Sequence, residues 1–339
     1  MGQGDQGRQH QTRIKLTIAF LFIAALCAGA VLRPAAAFAQ IYPEKPVRVV
    51  VPAPPGGALD VIARQLMQKL GASTGAQFII DNRGGAAGSI GAESVARAAP
   101  DGYTLLFASS SVLAINPHLG AKTTYDTLRS FSPVILIGNA PNVLAVHPAV
   151  PASSVRELIV VAKARPGALA FASNGAGTLS HLTAALFMQQ AGIDMLHVPY
   201  KGAAPAVIDT MAGQVAVLFA AYPSVSGQAQ AGKLRALAVT SARRIAAAPK
   251  LPTVTEAALP GFESTQWWGL YGPAGMPVEI VTRINRELNA ILGTADTRQR
   301  LAAEGAEPAG GSPADLASYH KADYERWQIV IRNAGIKGE

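Results

Sequence analysis

Val47 to Leu70 reads VRVVVPAPPGGALDVIARQLMQKL, and this stretch decides the fold class. Val47, Val49, Val50 and Val51 form a short β-branched run suited to a strand buried on both faces. Leu59, Ile62, Ala63, Leu66, Met67 and Leu70 recur at the spacing of an amphipathic helix, which Gly71 is expected to stop. Between them lies the turn PAPPGGALD, Pro52 to Asp60. Gly56 and Gly57 allow close backbone approach to a ligand, while Pro54 and Pro55 stiffen the way in. A second stretch, Ala172 to His181, reads ASNGAGTLSH and repeats the strand, turn and helix order. A helix that starts just after a glycine turn presents unpaired N–H groups and the positive end of its dipole, so both turns read as anion cradles. Two cradles imply a ligand held between two lobes. Asp60 stands in the first helical turn, where a carboxylate stabilises the dipole and bonds back to the turn. Its alternative role is a contact to a cationic part of the ligand.

Outward from the first unit, Phe78–Asp81 reads as a strand, Ser89–Ala98 as a helix and Thr104–Ala108 as a strand ending in Ser109, Ser110 and Ser111. This βαβαβ order predicts an α/β fold with a parallel sheet flanked by helices. A second series follows, with helices at Val155–Ala164, Leu182–Gln190 and Ala206–Met211. Its strands are Leu169–Ser173, Met195–Val198, Val215–Ala220 and Leu234–Thr240. Helices at Val278–Leu292, Thr297–Glu304 and Pro313–Asn333 close the chain. Crossings near Ile137–Val146 and Gly261–Trp267 join the lobes and can serve as hinges. The expected division is a leader over residues 1–39, a first lobe from 40–142 plus 263–339, and a second lobe from 143–262. Ligands of open α/β sheets sit beyond the carboxyl ends of the strands. Both glycine turns, Ser109–Ser111 and Tyr200-Lys201-Gly202 fall at such ends.

Arg8, Arg13 and Lys15 precede the uncharged run Leu16–Leu32, and Ala37-Phe38-Ala39 supplies a small-x-small site before Gln40. That is the pattern of a cleaved secretory signal peptide, and it predicts an exported protein. Cys27, the only cysteine, lies within this leader after Leu26, which argues against lipid attachment there. The mature chain therefore relies on its core, for which half apolar composition over about 300 residues suffices. The net charge of +8 falls to +5 once the leader is removed. The basic residues are scattered without aromatic interleaving, so no nucleic-acid track is expected. Such a weak positive bias favours small acids.

The segments YPEKPVRVVVPAPPGG, DNRGGAAGSIGAE, APDGYTLLFASSS, AINPHLG, ASNGAGTLSHL, HVPYKGAAPAVIDTMAGQV, GKLRALAVTSARR, LPTVTEAALPGFES and WWGLYGPAGMP together resemble the Bug family. This is the receptor family of tripartite tricarboxylate transporters, and the resemblance runs from Tyr42 to the C-terminus. It implies a two-lobe, type II periplasmic-binding-protein fold, each lobe a mostly parallel sheet flanked by helices, with the ligand cleft between lobes. It also implies a non-enzymatic receptor that holds a small carboxylic acid through amides, hydroxyls and water, then passes it to permease subunits in the membrane. The chain departs from the family pattern at Ala53, where Phe is usual, so an aromatic wall is expected to be missing. Acidic residues are common in the family at Ala216 and Ala220, and a Glu at Ala185, the last expected to be a surface difference.

No nucleophile elbow, P-loop, paired zinc histidines or cysteine ligand set appears, so no catalytic residue, metal or cofactor is expected. His118, His147, His197 and His320 read as structural. His181, one turn into the second cradle, is placed to orient Thr178 or a ligand oxygen. The candidate ligand contacts are Pro55, Gly56, Gly57, Asp60, Ser109, Ser110, Ser111, Asn174, Gly175, Gly177, Thr178, His181, Tyr200, Lys201 and Tyr222. Capping alone accounts equally for Thr178, a polar turn for Ser109–Ser111, and solvation for Lys201. Tyr222 is read as an aromatic wall opposite Ala53 or as packing within the second lobe. Trp267 and Trp268 are expected to fill the interlobe core. The chain is expected to be a monomer, and the alternative function is a periplasmic sensor whose closed lobes dock on a two-component histidine kinase. Adjacent genes would separate the two readings.

Overall fold

The computed structural model describes residues 42–120, 123–303 and 305–337. The leader and its cleavage site lie outside these residues. No helix among the described residues is long and apolar enough to cross a membrane.

Strand β1 (Val47–Val51) runs parallel between β2 (Phe78–Asn82) and β3 (Thr104–Ser109), with Val49 opposite both Ile80 and Leu105. Its four valines are fully buried, which accounts for their β-branched run. Helix α1 (Ala58–Thr74) buries Leu59, Ile62, Ala63, Leu66, Met67 and Leu70, the residues its periodicity marks as one face. It does not stop at Gly71. It ends at Gly75, whose φ of 71° closes a left-handed cap with its N–H on Gly71 O. Gly71 serves close approach instead, because a Cβ there would stand 2.8 Å from Ala76 O.

Helix α2 (Ser89–Ala96) joins β2 to β3. The chain then makes a wide π-helical turn, Ser111–Ile115, and a tight 3₁₀ turn, Asn116–His118, before entering β4 (Phe131–Val146). This 16-residue strand is the spine of the molecule. Its residues from Phe131 to Pro141 pair antiparallel with β9 (Thr265–Pro273), and its residues from Asn142 to Val146 pair with β7 (Val217–Ala221). Strand β9 in turn pairs with β3. The sheet order is thus β2-β1-β3-β9-β4-β7-β5-β6, where β5 is Ala170–Ser173 and β6 is Leu196–Pro199. Strands β8 (Arg235–Val239) and β10 (Glu307–Gly310) also pair with β4. Two parallel sets, one around β1 and one around β5, are therefore joined through two long antiparallel strands.

Helices α3 (Val155–Ala164), α4 (Leu179–Ala191), α5 (Ala203–Met211), α6 (Tyr222–Gln230) and α7 (Val254–Ala257) belong to the segment carrying β5 to β8. Helices α8 (Val278–Gly293), α9 (Ala295–Ala303) and α10 (Pro313–Ala334) follow β9. Trp267 and Trp268 are both buried, and Trp267 Nε1 donates to Asp323 of α10 at 2.8 Å. Ala185 is also buried, in the main core with Phe187 and Phe219. The expectation that it sits on the surface is corrected: α4 buries nearly its whole circumference, and a carboxylate at Ala185 would need a partner there.

Candidate functional site

Beyond the carboxyl ends of both parallel sets lies a cleft of about 810 Å³. Ala86, Ala87 and Ser89 line it from the loop that starts α2, and Ser111, Asn116, Leu119 and Gly120 from the turns after β3. Asn142 of β4 and Gln266 of β9 line it from the crossing strands. The turn between β5 and α4 contributes Asn174, Ala176, Gly177, Thr178, Leu179 and Ser180, and Ala221 completes the wall. Among the described residues, no charged side chain lines this cleft.

The β5–α4 turn is held by its own side chains. Asn174 N–H donates to Ser180 Oγ at 2.8 Å, Gly177 N–H to His181 Nδ1 at 3.2 Å, and Thr178 Oγ1–H to Gly175 O at 2.7 Å. Gly175 and Gly177 have φ of 137° and 70°, conformations a side chain disfavours. The first intrahelical bond of α4 runs from Leu182 N–H to Thr178 O, and the Thr178 side chain caps no N–H. The amides of Leu179, Ser180 and His181 are thus left at an open helix start, with the dipole's positive end beside them. Asn174 Oδ1 is buried here without a hydrogen-bond partner among the described residues.

His181 sits behind this turn, its ring stacked on His197 at 3.8 Å, with Phe171 at 4.8 Å beyond His197. Burial, and then the neighbouring His197, pull its pKa down to about 4. At neutral pH the ring is uncharged, and its Nδ1 lone pair is free to accept the Gly177 amide. His197 Nε2 lies 2.7 Å from Ser173 Oγ, which accepts the Gly175 N–H at 3.2 Å. The histidine pair therefore orients the glycine turn.

The opposite side is built on strain. Ala86 and Ala87 have φ of 45° and 53° and line the cleft in the left-handed region, which costs roughly 1–2 kcal/mol per non-glycine residue. Asn116 Nδ2 donates to Ala87 O at 2.6 Å and fixes that loop. Ser111 Oγ donates to Gln266 Oε1 at 3.2 Å, which sets the Gln266 side chain.

Of the expected ligand contacts, the cleft gathers Ser111, Asn174, Gly177 and Thr178 as wall residues, with Gly175 and His181 directly supporting them. Pro55, Gly56, Gly57 and Asp60 do not line it. Asp60 is 2 % exposed and its oxygens accept Gly56 N–H, Arg64 Nε and Asn82 Nδ2, each at 2.9 Å. Burial alone would raise its pKa, but the bonds from Arg64, Gly56 and Asn82 outweigh that and hold it below the usual range. Ser109 and Ser110 are buried, and Ser110 Oγ accepts Trp267 N–H at 3.4 Å. Tyr200 donates its hydroxyl to Asp209 at 2.9 Å and Lys201 is exposed; neither lines the cleft. Tyr222 donates to Ala247 O at 2.9 Å and lines a separate cavity with Val225. Ala220 is buried in the core around β7, and its neighbour Ala221 is the residue at the cleft.

Ala86, Ala87, Ser89, Asn116, Asn142, Ser180 and Gln266 escaped the sequence reading. The signal for the first three was present in DNRGGAAGSIGAE, where paired glycines precede a helix start as they do in the second cradle.

The family model for the tripartite tricarboxylate transporter family receptor matches residues 62–336. The chain belongs to this receptor family. It is 38 % identical over 300 residues to protein BugT of Bordetella pertussis, covering 88 % of this chain and 92 % of that protein. Among solved structures of this family, R. palustris Rpa4515 with adipate is 38 % identical with a TM-score of 0.70, covering 87 % of this chain and 99 % of its own. A TctC solute-binding protein from Polaromonas without ligand is 27 % identical with a TM-score of 0.80, covering 86 % and 99 %. The α/β fold is thus that of the TctC-type, two-lobe periplasmic solute-binding proteins.

Proposed function

We propose that this receptor captures a small carboxylic acid in the cleft and delivers it to the membrane permease of a tripartite tricarboxylate transporter. The observation that carries this reading is the open start of α4 within an uncharged polar wall. An anion placed there gains charge-assisted bonds from amides and hydroxyls, each contributing about 1.5–3 kcal/mol, without a cationic side chain. The loop from Ala86 to Ser89 sets a second helix start on the same cleft, so an acid with a polar group at each end finds donors on both walls. The adipate held by Rpa4515 supports an acid of this kind.

Residues 40–142 plus 263–339 act as one lobe and 143–262 as the other, and they close over the ligand by bending near Ile137–Val146 and Gly261–Trp267. The change of β4 partners between Pro141 and Asn142 supports a hinge there. The protein works in the periplasm after loss of residues 1–39. A thermal-shift screen against organic acids tests the reading. An acid at 100 times its dissociation constant should stabilise the native state by about 2.7 kcal/mol, and a panel of mono- and dicarboxylates that leaves Tm unmoved would contradict it.

A further inference from the structure

A second cavity, of about 560 Å³, lies against α6. Its floor is apolar, made by Val143 of β4, Val225 and Ala229 of α6, Ala236 of β8, and Leu251. Small side chains, those of Ala229, Ala236, Ala247 and Ala248, line it and leave the space open. The volume falls within the range of small-molecule sites, about 300–1,000 Å³. The lining carries one charged group, Lys250, which forms no ion pair among the described residues. The acids near this loop are engaged elsewhere, Glu256 with Arg244 at 2.8 Å and Glu307 with Ala246 N–H at 2.7 Å.

The segment that carries the cavity has a net positive charge. Residues 143–262 hold nine Lys and Arg against four Asp and Glu, whereas residues 40–142 with 263–339 hold sixteen against sixteen. The whole positive excess of the chain beyond its leader therefore lies on the segment that contains this cavity. An apolar interior, an ammonium in its lining that forms no ion pair among the described residues and a net-positive segment complement a molecule with an apolar body and one acidic end.

We propose that this cavity is a second ligand site, for an amphiphilic monocarboxylate whose hydrocarbon body lies against Val143, Val225 and Leu251 and whose carboxylate pairs with Lys250. The site is separate from the cleft: Ala221 lines one and Tyr222 the other, on successive residues at the start of α6. It takes acids too apolar for the polar cleft wall. Affinity here grows with chain length, by roughly three- to fourfold for each added CH₂ that the cavity covers.

Titration of the mature protein with hexanoate and octanoate, followed by calorimetry, tests this assignment. Octanoate should bind with a dissociation constant below about 1 mM and several-fold more tightly than hexanoate. Ala229→Phe fills the cavity and should abolish that binding while leaving acid binding in the cleft intact. Lys250→Glu changes only an exposed side chain, so it keeps the test valid should Ala229→Phe fold poorly. It should weaken octanoate at least tenfold and favour octylammonium instead. Gly177→Val in the cleft should leave octanoate binding unchanged. The proposal is overturned if octanoate does not bind, if Gly177→Val removes its binding while Ala229→Phe spares it, or if Lys250→Glu leaves the preference between octanoate and octylammonium as it was.

Discussion

The sharpest consequence of the cleft geometry is a contrast between two glycines. Gly177 has φ of 70°, lines the cleft and donates its N–H to His181. Gly57, at the start of α1, has φ of −78°, and a Cβ added there meets nothing within 4 Å. Valine at Gly177 brings a β-branched side chain into the left-handed region, costing upwards of about 1–2 kcal/mol, and its Cβ would stand 3.4 Å from Leu119 Cδ1. The turn relaxes to escape this, and the amides of Leu179 and Ser180 swing away from the bound oxygen. Losing one or two charge-assisted bonds of about 1.5–3 kcal/mol each weakens binding from roughly tenfold to more than a thousandfold. Gly57→Val and Lys201→Ala should each change affinity by less than about threefold, since neither position touches the cleft. Calorimetry with the acid selected by thermal shift reads all three variants, and circular dichroism checks that each is folded. Loss of binding in Gly57→Val with retention in Gly177→Val would refute the assignment of the anion to the α4 start.

Asp60→Ala should destabilise the fold by about 2–3 kcal/mol in urea unfolding, because three bonded donors lose a buried acceptor, yet leave ligand affinity unchanged; weakened binding at full stability would place Asp60 in the site after all. Acid should destabilise the protein well before its carboxylates titrate. His320 is 3 % exposed and burial pulls its pKa down to about 4 against an ordinary 6.5, so the unfolded chain takes up the proton first. Its contribution is complete above pH 6.5 and is lost as pH falls toward 4, by on the order of 3 kcal/mol, with His181 acting in the same sense. Unfolding free energies measured between pH 7 and pH 4 should decline accordingly, and a flat profile would mean these rings take up protons in the native state as readily as in the unfolded one. Saturating ligand should also reduce the radius of gyration in solution scattering, whereas an unchanged curve would confine binding to one lobe.

The parallel sets were legible in the sequence because their strands and helices carry one clear period each. Val47–Val51 and the α1 stripe lie where the pattern puts them. The spine was harder. Strand β4 contains Pro133, Gly138 and Pro141, residues that argue against a central strand. Each has a local reason that only tertiary structure shows. The register slips next to Pro133, β4 changes partners after Pro141, and a Cβ at Gly138 would meet Glu307 O of β10 at 2.5 Å. The second cradle was readable as glycine turn plus helix start, and the structure places it on the cleft. The first turn has the same composition, but Asp60 and Arg64 tie it down and the cleft forms instead at Ala86–Ser89. Left-handed alanines leave no mark in composition, because the strain is imposed by contacts such as Asn116 on Ala87 O.

A crystal structure of the mature protein with its selected acid tests the central claim most directly. The ligand's carboxylate oxygens should lie about 3 Å from the amides at the start of α4, with a polar group of the ligand reaching Ser89, Ser111 or Gln266 on the other wall. A carboxylate paired with a lysine or arginine side chain, or bound away from residues 174–180, would contradict it.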